Sequence, residues 1–289
     1  MTATEQLGAG AAAAPQERRA ARRLRLPGGV ATAIAAIVLG TAVLWALFPG
    51  LFTAVDPILP DTPNMLQPPS AAHPFGTDHL GRDVLARTIH GSALSLYATL
   101  LAVLIAFAAG SAIGVGAGFV GGVVDAVLMR VVDIVMSIPG LLLAMGVVTA
   151  LGFGTTNIAI AVGIAATASF ARLARGEVIR WRTSVFAEAA RWVGVSPWRI
   201  LWRYLLPLAL KPVVALGVLE FGSAVIAVST LSFLGFGQPP PAPEWGLLVA
   251  EGRDYLATAW WLTTFPGLVI VAVVLSANQL SRAIQGGRR

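Results

Sequence analysis

Residues 91–124 of this chain read GSALSLYATLLAVLIAFAAGSAIGVGAGFVGGVV, without a single Asp, Glu, Lys or Arg. About 20 apolar residues in a helix are enough to cross the hydrocarbon core of a bilayer. The stretch therefore predicts a membrane-spanning helix. It also decides the class of fold, which is an all-α integral membrane protein.

The composition of the whole chain supports the same class. Of its 289 residues, 56% are hydrophobic and only 12% are charged, whereas about a quarter are charged in a soluble domain. The chain has no cysteine, and its three histidines (His73, His79 and His90) are far apart, so neither thiol chemistry nor a metal centre is expected. We expect no catalytic residue and no cofactor on this chain. The net charge is +6, and the charged residues lie between apolar runs. This placement fits orientation in a bilayer better than binding to nucleic acid.

Six spans are predicted, at about 30–48, within 91–124, and at about 126–150, 155–171, 212–236 and 258–281. The first could be a signal peptide, but no small-residue cleavage pattern follows it, so we predict an uncleaved span. The expected organisation is a disordered basic tail (1–29), a first span (30–48), an extracytoplasmic segment (49–90), a five-helix core (91–284) that contains a cytoplasmic loop (172–211), and a tail (285–289).

The basic residues predict the orientation of the chain. With the N-terminus placed in the cytoplasm, only Arg82, Arg87 and Arg253 of the 20 Lys and Arg residues lie outside. Basic residues accumulate on the cytoplasmic side of membrane proteins. Both termini are therefore predicted to be cytoplasmic.

Four glycines, Gly110, Gly114, Gly118 and Gly122, recur at a spacing of four. This spacing places them on one helix face, where a neighbouring backbone can approach closely. The face fits either tight static packing, which we favour, or a surface on which the helix slides.

The loop 172–211 is a charged island that carries eight of the 20 Lys and Arg residues. Thr183 or Ser184 can cap a short helix over 185–193, and Gly194 suits a left-handed stop. Ser196 and Pro197 can start a second helix over 197–206, which we expect to end against Pro207. The sequence thus predicts a helix–Gly turn–helix hairpin on the membrane surface.

Two interpretations of this hairpin are possible. It could only anchor the spans at the membrane surface, or it could contact another protein. Glu188 beside the small pair Ala189-Ala190 favours a protein contact, because a carboxylate offers a pairing point for a cationic side chain.

Ionisable residues within spans are candidate functional sites. Glu220 could line a pathway and meet a substrate amine, or it could join a buried hydrogen-bond network; the sequence favours neither interpretation. Asp133 and Arg130 are three residues apart and are expected to pair with each other. Asp125 is expected in a short turn without a special role. Pro139 is expected to kink the third span.

Two segments outside the spans are long and rich in turn-forming residues, 49–90 and 237–257. Both could be plain connectors or docking surfaces for an extracytoplasmic partner. Asp78, Arg82 and Asp83 could contact such a partner or stabilise the local fold, and we favour the local role slightly.

The island resembles a motif of the permease subunits of bacterial ABC importers, written EAA, three residues, Gly, nine residues, Ile, one residue, Leu-Pro. The matching positions are Glu188, Ala189, Ala190, Gly194, Leu206 and Pro207, with Tyr204 in place of the Ile. A second stretch, HPFGTDHLGRDVL at 73–85, resembles the dipeptide, oligopeptide and nickel branch, as do residues 232–237, 244–246, 251–255 and 265–267. The likeness is closest to the C-type dipeptide permease subunit.

This resemblance implies a type I importer fold and a permease that translocates di- or oligopeptides delivered by an extracytoplasmic binding protein. The implied partners are a homologous second permease subunit and a separate ATPase that uses ATP and Mg²⁺. The six motif residues would seat the hairpin on that ATPase. This chain has no Walker loop, so it is not expected to hydrolyse ATP. Alternatives are the same machinery carrying nickel, an opine or another small solute, or a secondary transporter, which would show repeated halves with interrupted helices.

Overall fold

The computed structural model describes residues 28–286, which fold into ten α-helices and, apart from one isolated bridge, no β-structure. The helices are α1 (Gly28–Leu47), α2 (Val84–Val120), α3 (Gly122–Ser137), α4 (Gly140–Leu151), α5 (Thr155–Arg182), α6 (Val185–Trp192), α7 (Pro197–Ile200), α8 (Leu206–Phe233), α9 (Trp245–Gly252) and α10 (Trp261–Gly286). Five helical stretches are long and apolar enough to cross a membrane, and the bent pair α3 and α4 passes the same test when its two helices are taken together. The all-α membrane class is confirmed. The predicted tail 1–29 lies outside the described residues except for its last two positions, and residues 287–289 of the C-terminal tail also lie outside.

The third span is broken rather than kinked. The helices α3 and α4 meet at Pro139 with an angle of 96°. Ile138 has an extended backbone (ψ 130°), as is usual for a residue that precedes proline. The single helix predicted over 126–150 is therefore wrong, although Pro139 was the correct position for the distortion.

The second span begins earlier than the sequence suggested. The Asp83 carboxylate accepts a hydrogen bond from the Ala86 amide (2.7 Å) and caps α2. In the first turns of α2, the Thr88 hydroxyl donates to the Val84 carbonyl (2.7 Å) and is thus satisfied within the helix. The segment predicted to precede the second span, residues 49–90, therefore ends at residue 83 rather than at residue 90.

The fourth span is longer than predicted and continues to Arg182. Its additional turns are charged, and ion pairs with α3 compensate these charges. Arg172 Nη2 lies 2.8 Å from Asp133 Oδ1, and Arg175 holds Asp125 through two hydrogen bonds. The predicted pair of Arg130 with Asp133 is wrong because Arg172 occupies the carboxylate, and Asp125 does have a specific partner.

The helices α2 and α5 make the most extensive contact among the described helices, and three of the four spaced glycines lie between them. Gly110 faces Phe170 and Thr167, and Gly118 faces the Arg175 carbonyl. A Cβ on Gly114 would overlap the Ala171 carbonyl oxygen and lie 2.8 Å from the Ala174 Cβ. A Cβ added to Gly122 would meet no atom within 4 Å, because Gly122 begins α3 and lies outside this contact. The stripe is therefore a packing surface, in which the absence of side chains brings the two backbones together.

The hairpin does not stop at Pro207. Helix α7 passes through a π-helical turn (Leu201–Leu205) directly into α8, so that residues 197–233 are continuously helical. Pro207 lies just after the π turn, inside this continuous helix, so its missing N–H leaves one carbonyl of the preceding turn without an amide donor. The wider π turn relieves the crowding that proline imposes on the preceding turn. The predicted end of the second helix at residue 206 is therefore wrong.

Residues 48–83 and 234–260 lie together at one end of the bundle, and we call them the loop layer. Its centre is a buried ion network. Arg82 Nε lies 2.7 Å from Asp78 Oδ2, and Arg87 Nη2 lies 2.9 Å from Glu251 Oε2. Trp245 Nε1 donates to the Thr88 carbonyl (2.9 Å) and holds α9 against α2. The network therefore joins two segments that are far apart in the sequence.

We predict that Arg87→Met destabilises the loop layer. Arg87 is completely buried, and its removal leaves the carboxylates of Asp78 and Glu251 without one of their cations. Breaking a buried ion pair by removing one partner costs about 3–5 kcal/mol. The apparent melting temperature of the purified chain in detergent should fall by several degrees. The control Arg253→Met alters an exposed arginine (61% exposed) and should have little effect; equal losses in both variants would contradict the prediction.

Candidate functional site

The hairpin has the geometry predicted for its first helix and its turn. The Ser184 hydroxyl accepts a hydrogen bond from the Ala187 amide (3.4 Å) and caps α6. Gly194 has a φ of +80°, which favours glycine. The Val195 amide donates to the Ala190 carbonyl (3.0 Å) and closes the turn. Short-range signals of capping and chirality were therefore sufficient to place this element.

The inner side of the hairpin is fixed to the bundle by contacts that the sequence did not reveal. Ala187 is buried against Ile200, Leu201 and Leu205. Arg191 Nη2 donates to the Arg182 carbonyl (3.1 Å) at the end of α5. Arg182 Nη1 in turn donates to the carbonyls of Gly118 (3.1 Å) and Phe119 (2.9 Å) at the end of α2. These arginines satisfy carbonyls that a helix end leaves unpaired, and α6 is thereby held on the ends of two spans.

The outer side of the hairpin is exposed and largely apolar. Val185 and Trp192 are each 83% exposed, and Val193 is 78% exposed. Glu188 and Ala189 are also exposed. Within the described residues, the Glu188 side chain has no hydrogen bond or ion pair. This surface combines exposed apolar area with one free carboxylate, an arrangement that suits a protein partner.

The remaining motif residues are divided between the hairpin and the following span. Ala190 and Gly194 shape the turn itself, whereas Leu206 and Pro207 form the first turn of α8. The motif thus marks both the exposed helix and its continuous connection to a span.

A cavity of about 210 Å³ lies between α2, α4, α5 and α8. Its walls are almost wholly apolar and include Ala102, Ala106, Gly140, Ala144, Val162 and Phe170. Glu220 and Ser223 are its polar lining residues. Among residues 28–286, the Glu220 carboxylate has no hydrogen bond or ion pair. A buried hydrogen-bond network, the alternative role of Glu220, would need partners that the described residues do not supply.

Asp78, Arg82 and Asp83 are all buried, with 4%, 3% and 6% of their surfaces exposed. Asp78 accepts from the Leu80 amide (2.8 Å) and from Arg82, and Asp83 contacts His73 Nδ1 (2.8 Å) in addition to capping α2. Their polar groups are engaged within the chain. This geometry matches the interpretation in which they stabilise the local fold.

Sequence reasoning missed the role of Glu244, which begins α9. Its side chain is fully buried, and the Ser232 hydroxyl at the end of α8 donates to it (2.5 Å). Burial raises the pKa of the Glu244 carboxyl, and the hydrogen bond from Ser232 opposes part of that rise. Glu244 thus connects the loop layer to α8. Within the part of the chain that the structure describes, no three His, Asp or Glu residues are grouped in a way that could hold a metal ion.

Comparison with solved structures supports the observed fold. The chain resembles the MetNI methionine ABC transporter in inward-facing conformations, with a TM-score of 0.56 and 19% identity over 70% of this chain and 97% of that chain. It also resembles an amino acid ABC transporter with histidines, with a TM-score of 0.55 and 16% identity over 70% of this chain and 94% of that chain. At this level of identity the likeness concerns the fold alone.

Comparison with curated proteins gives closer relatives. The chain is 37% identical over 260 residues to the probable D,D-dipeptide transport system permease protein DdpC of Escherichia coli (strain K12), covering 90% of this chain and 87% of that protein. It is 36% identical over 249 residues to the dipeptide transport system permease protein DppC of Alkalihalophilus pseudofirmus, covering 86% and 82%. It is 34% identical over 264 residues to the glutathione transport system permease protein GsiD of Pectobacterium atrosepticum, covering 91% and 87%.

The family comparison covers the glycine face, the hairpin and the cavity-lining span α8. Residues 110–289 match the family described as binding-protein-dependent transport system inner membrane component. The match extends over more than half of the chain and includes all six motif positions. The chain therefore belongs to this family, the multi-pass permease subunits of ABC importers, and is a transport subunit rather than an enzyme.

Proposed function

We propose that this chain translocates di- or oligopeptides that a solute-binding protein delivers on the extracytoplasmic side. The observation that carries the proposal is the α6 surface, an exposed helix with a free carboxylate that is fixed to the ends of two spans. The relatives named for dipeptide, D,D-dipeptide and glutathione transport support a peptide cargo. Nickel or an opine is less well supported, because none of these three relatives is named for either.

The proposed energy source is a separate ATPase that binds ATP and Mg²⁺. Its cleft receives α6, with Glu188 as the pairing point for a cationic side chain and Ala189 and Ala190 allowing close approach. Gly194 sets the turn, and Leu206 and Pro207 join the hairpin to α8. Closure of the ATPase pair draws the hairpins of two permease subunits together, and the permease then opens to accept the peptide.

The proposed translocation pathway includes the cavity at Glu220, completed by a homologous second permease subunit. The exposed apolar residues of α3 and α4, such as Val123, Val127 and Leu142, suit burial against that subunit or against lipid. The loop layer is the side on which the binding protein docks. The polar groups of Asp78, Arg82 and Asp83 are hydrogen-bonded within the chain. Their proposed effect on docking is therefore indirect: they hold the loop layer in the shape that the binding protein contacts.

The proposed location is the bacterial cytoplasmic membrane, with both termini and the hairpin in the cytoplasm. The chain contains no cysteine, so a single introduced cysteine reports its own position without background. We expect a membrane-impermeant maleimide to label Asp254→Cys in intact cells. Val185→Cys should react only after the membrane is opened, because α6 is exposed but faces the cytoplasm.

The same variants test the ATPase contact. Coexpression of the ATPase should reduce labelling of Val185→Cys several-fold and leave labelling of Asp254→Cys unchanged. Labelling of Val185→Cys in intact cells would overturn the orientation. Equal labelling with and without the ATPase would remove α6 from the contact surface.

A further inference from the structure

Among the described residues that line the membrane cavity, Glu220 is the ionisable one, and it faces otherwise apolar walls. The next basic residue along α8 toward its start is Lys211, about 14 Å away along the helix axis. On α5, Arg172 lies two residues beyond the lining residue Phe170 but pairs with Asp133. Within the described part of the chain, no basic side chain lines the cavity. The carboxylate of Glu220 is therefore available to a group from outside the chain.

An ionised carboxylate in apolar surroundings is unfavourable unless a partner compensates it. Within membrane spans such residues are usually found on the pathway of a substrate or an ion. We propose that Glu220 receives the α-ammonium group of the peptide during translocation and makes the permease selective for substrates that carry a free amine. This inference rests on the proposed function, because it assigns the chemistry of the same pathway.

The surroundings of Glu220 favour an ammonium group over a metal ion. A dedicated metal site needs several oxygen, nitrogen or sulfur ligands, and the lining offers one carboxylate and one hydroxyl. An ammonium group has three donors and no acceptor. Ser223 lies three residues after Glu220, so both side chains project from one face of α8, and its hydroxyl can accept a second hydrogen bond from the same ammonium group.

The walls of the cavity explain why an amine, rather than a particular side chain, would be recognised. Small residues such as Ala102, Ala106, Gly140 and Ala144 line it, and these offer no hydrogen-bonding side chain to distinguish one peptide side chain from another. Dipeptides of either chirality and glutathione share a free amino group. Recognition at Glu220 would therefore act on what these cargoes have in common.

The first test is uptake by the reconstituted complex of the full chain with its second permease subunit, ATPase and binding protein. We expect Glu220→Gln to lower ATP-dependent uptake of labelled dialanine by about tenfold or more, since one charge-assisted hydrogen bond is lost. Glu220→Asp, which keeps the charge, should recover a measurable part. The amount of ATPase that co-purifies with the complex should match the wild type, because Glu220 lies far from the hairpin along α8.

The second test does not require uptake. An apolar carbodiimide activates a carboxyl group, which then couples to a primary amine held beside it. Mass spectrometry of the treated complex should find dialanine attached through its amino group at Glu220, and N-acetyl-dialanine should give no adduct. Normal uptake by Glu220→Gln, or the absence of the dialanine adduct, would overturn the inference. Failure of the wild-type complex to import any peptide would instead overturn the proposed function, and the adduct would still decide the role of Glu220.

Discussion

Replacing Glu188 with arginine is expected to abolish ATP-dependent uptake, by about 100-fold or more, while the chain still inserts in the membrane. The side chain is exposed and unpaired among the described residues, so the substitution removes no side-chain hydrogen bond or ion pair. It instead places a positive charge where a cationic partner group is proposed to bind. Truncating one partner of a buried charge pair at an interface costs about 2–5 kcal/mol, and reversing its sign adds repulsion.

The measurement for this variant has two parts, co-purification of the ATPase and uptake of labelled peptide. Both should fall together, whereas the amount of permease in the membrane and its melting temperature should match the wild type. The matched control for the first part is Asp254→Arg, a charge reversal at an exposed position (75% exposed) beyond the other end of α8, which should retain the ATPase. Retention of both the ATPase and transport by Glu188→Arg would show that the α6 surface is not the energy-coupling contact.

Replacing Gly114 with leucine is expected to prevent the close contact between α2 and α5. A Cβ at this position already overlaps the Ala171 carbonyl, which belongs to a helix backbone and cannot rotate away. Overpacking in a well-packed interior costs about 1–3 kcal/mol and sometimes more. Here the whole leucine side chain must be accommodated in the most extensive helix pair of the bundle. The expected result is a large loss of folded protein and of transport.

The matched control for this variant lies two residues along the same helix. A Cβ on Gly116 would have no neighbour within 4 Å, so Gly116→Leu makes the same chemical change without the overlap. Size-exclusion profiles after heating in detergent should show an early loss of the monodisperse peak for Gly114→Leu alone. Equal stability of the two variants would indicate that α2 and α5 are further apart than the structure places them.

The features predictable from the sequence were those set by local chemistry. The apolar runs located the five long helices and the bent pair α3 and α4. Ser184 and Gly194 placed the ends of α6, and Pro139 marked the break between α3 and α4. Each of these depends on residues within one or two helical turns of each other, so a single sequence contains the necessary information.

The features that could not be predicted depend on contacts between distant segments. Asp133 pairs with Arg172 of another helix rather than with nearby Arg130, because packing brings α5 alongside α3. For the same reason α5 keeps its charged residues in a regular helix to Arg182. No pattern in the sequence distinguishes these partners from the local alternative.

In the candidate site, too, some features follow from the local sequence and others from contacts between distant segments. The exposed motif residues were found from their spacing, and Glu220 was found because a carboxylate in an apolar span is unusual. The supporting arginines, Arg182 and Arg191, were counted only as positive charge. Their role as caps on helix ends appears only when the ends of α2, α5 and α6 are seen together.

The continuous helix over residues 197–233 has a mechanical consequence. It contains 37 residues and is therefore about 55 Å long. The helix is unbroken over this length, with the π turn near its start and Pro212 in its interior. The start of the helix carries the hairpin, its middle carries Glu220, and Ser232 near its far end holds the loop layer through Glu244. A tilt of this helix about its middle would therefore move the hairpin and the loop layer in opposite directions, so that the two ends of the chain's bundle would be displaced by one motion.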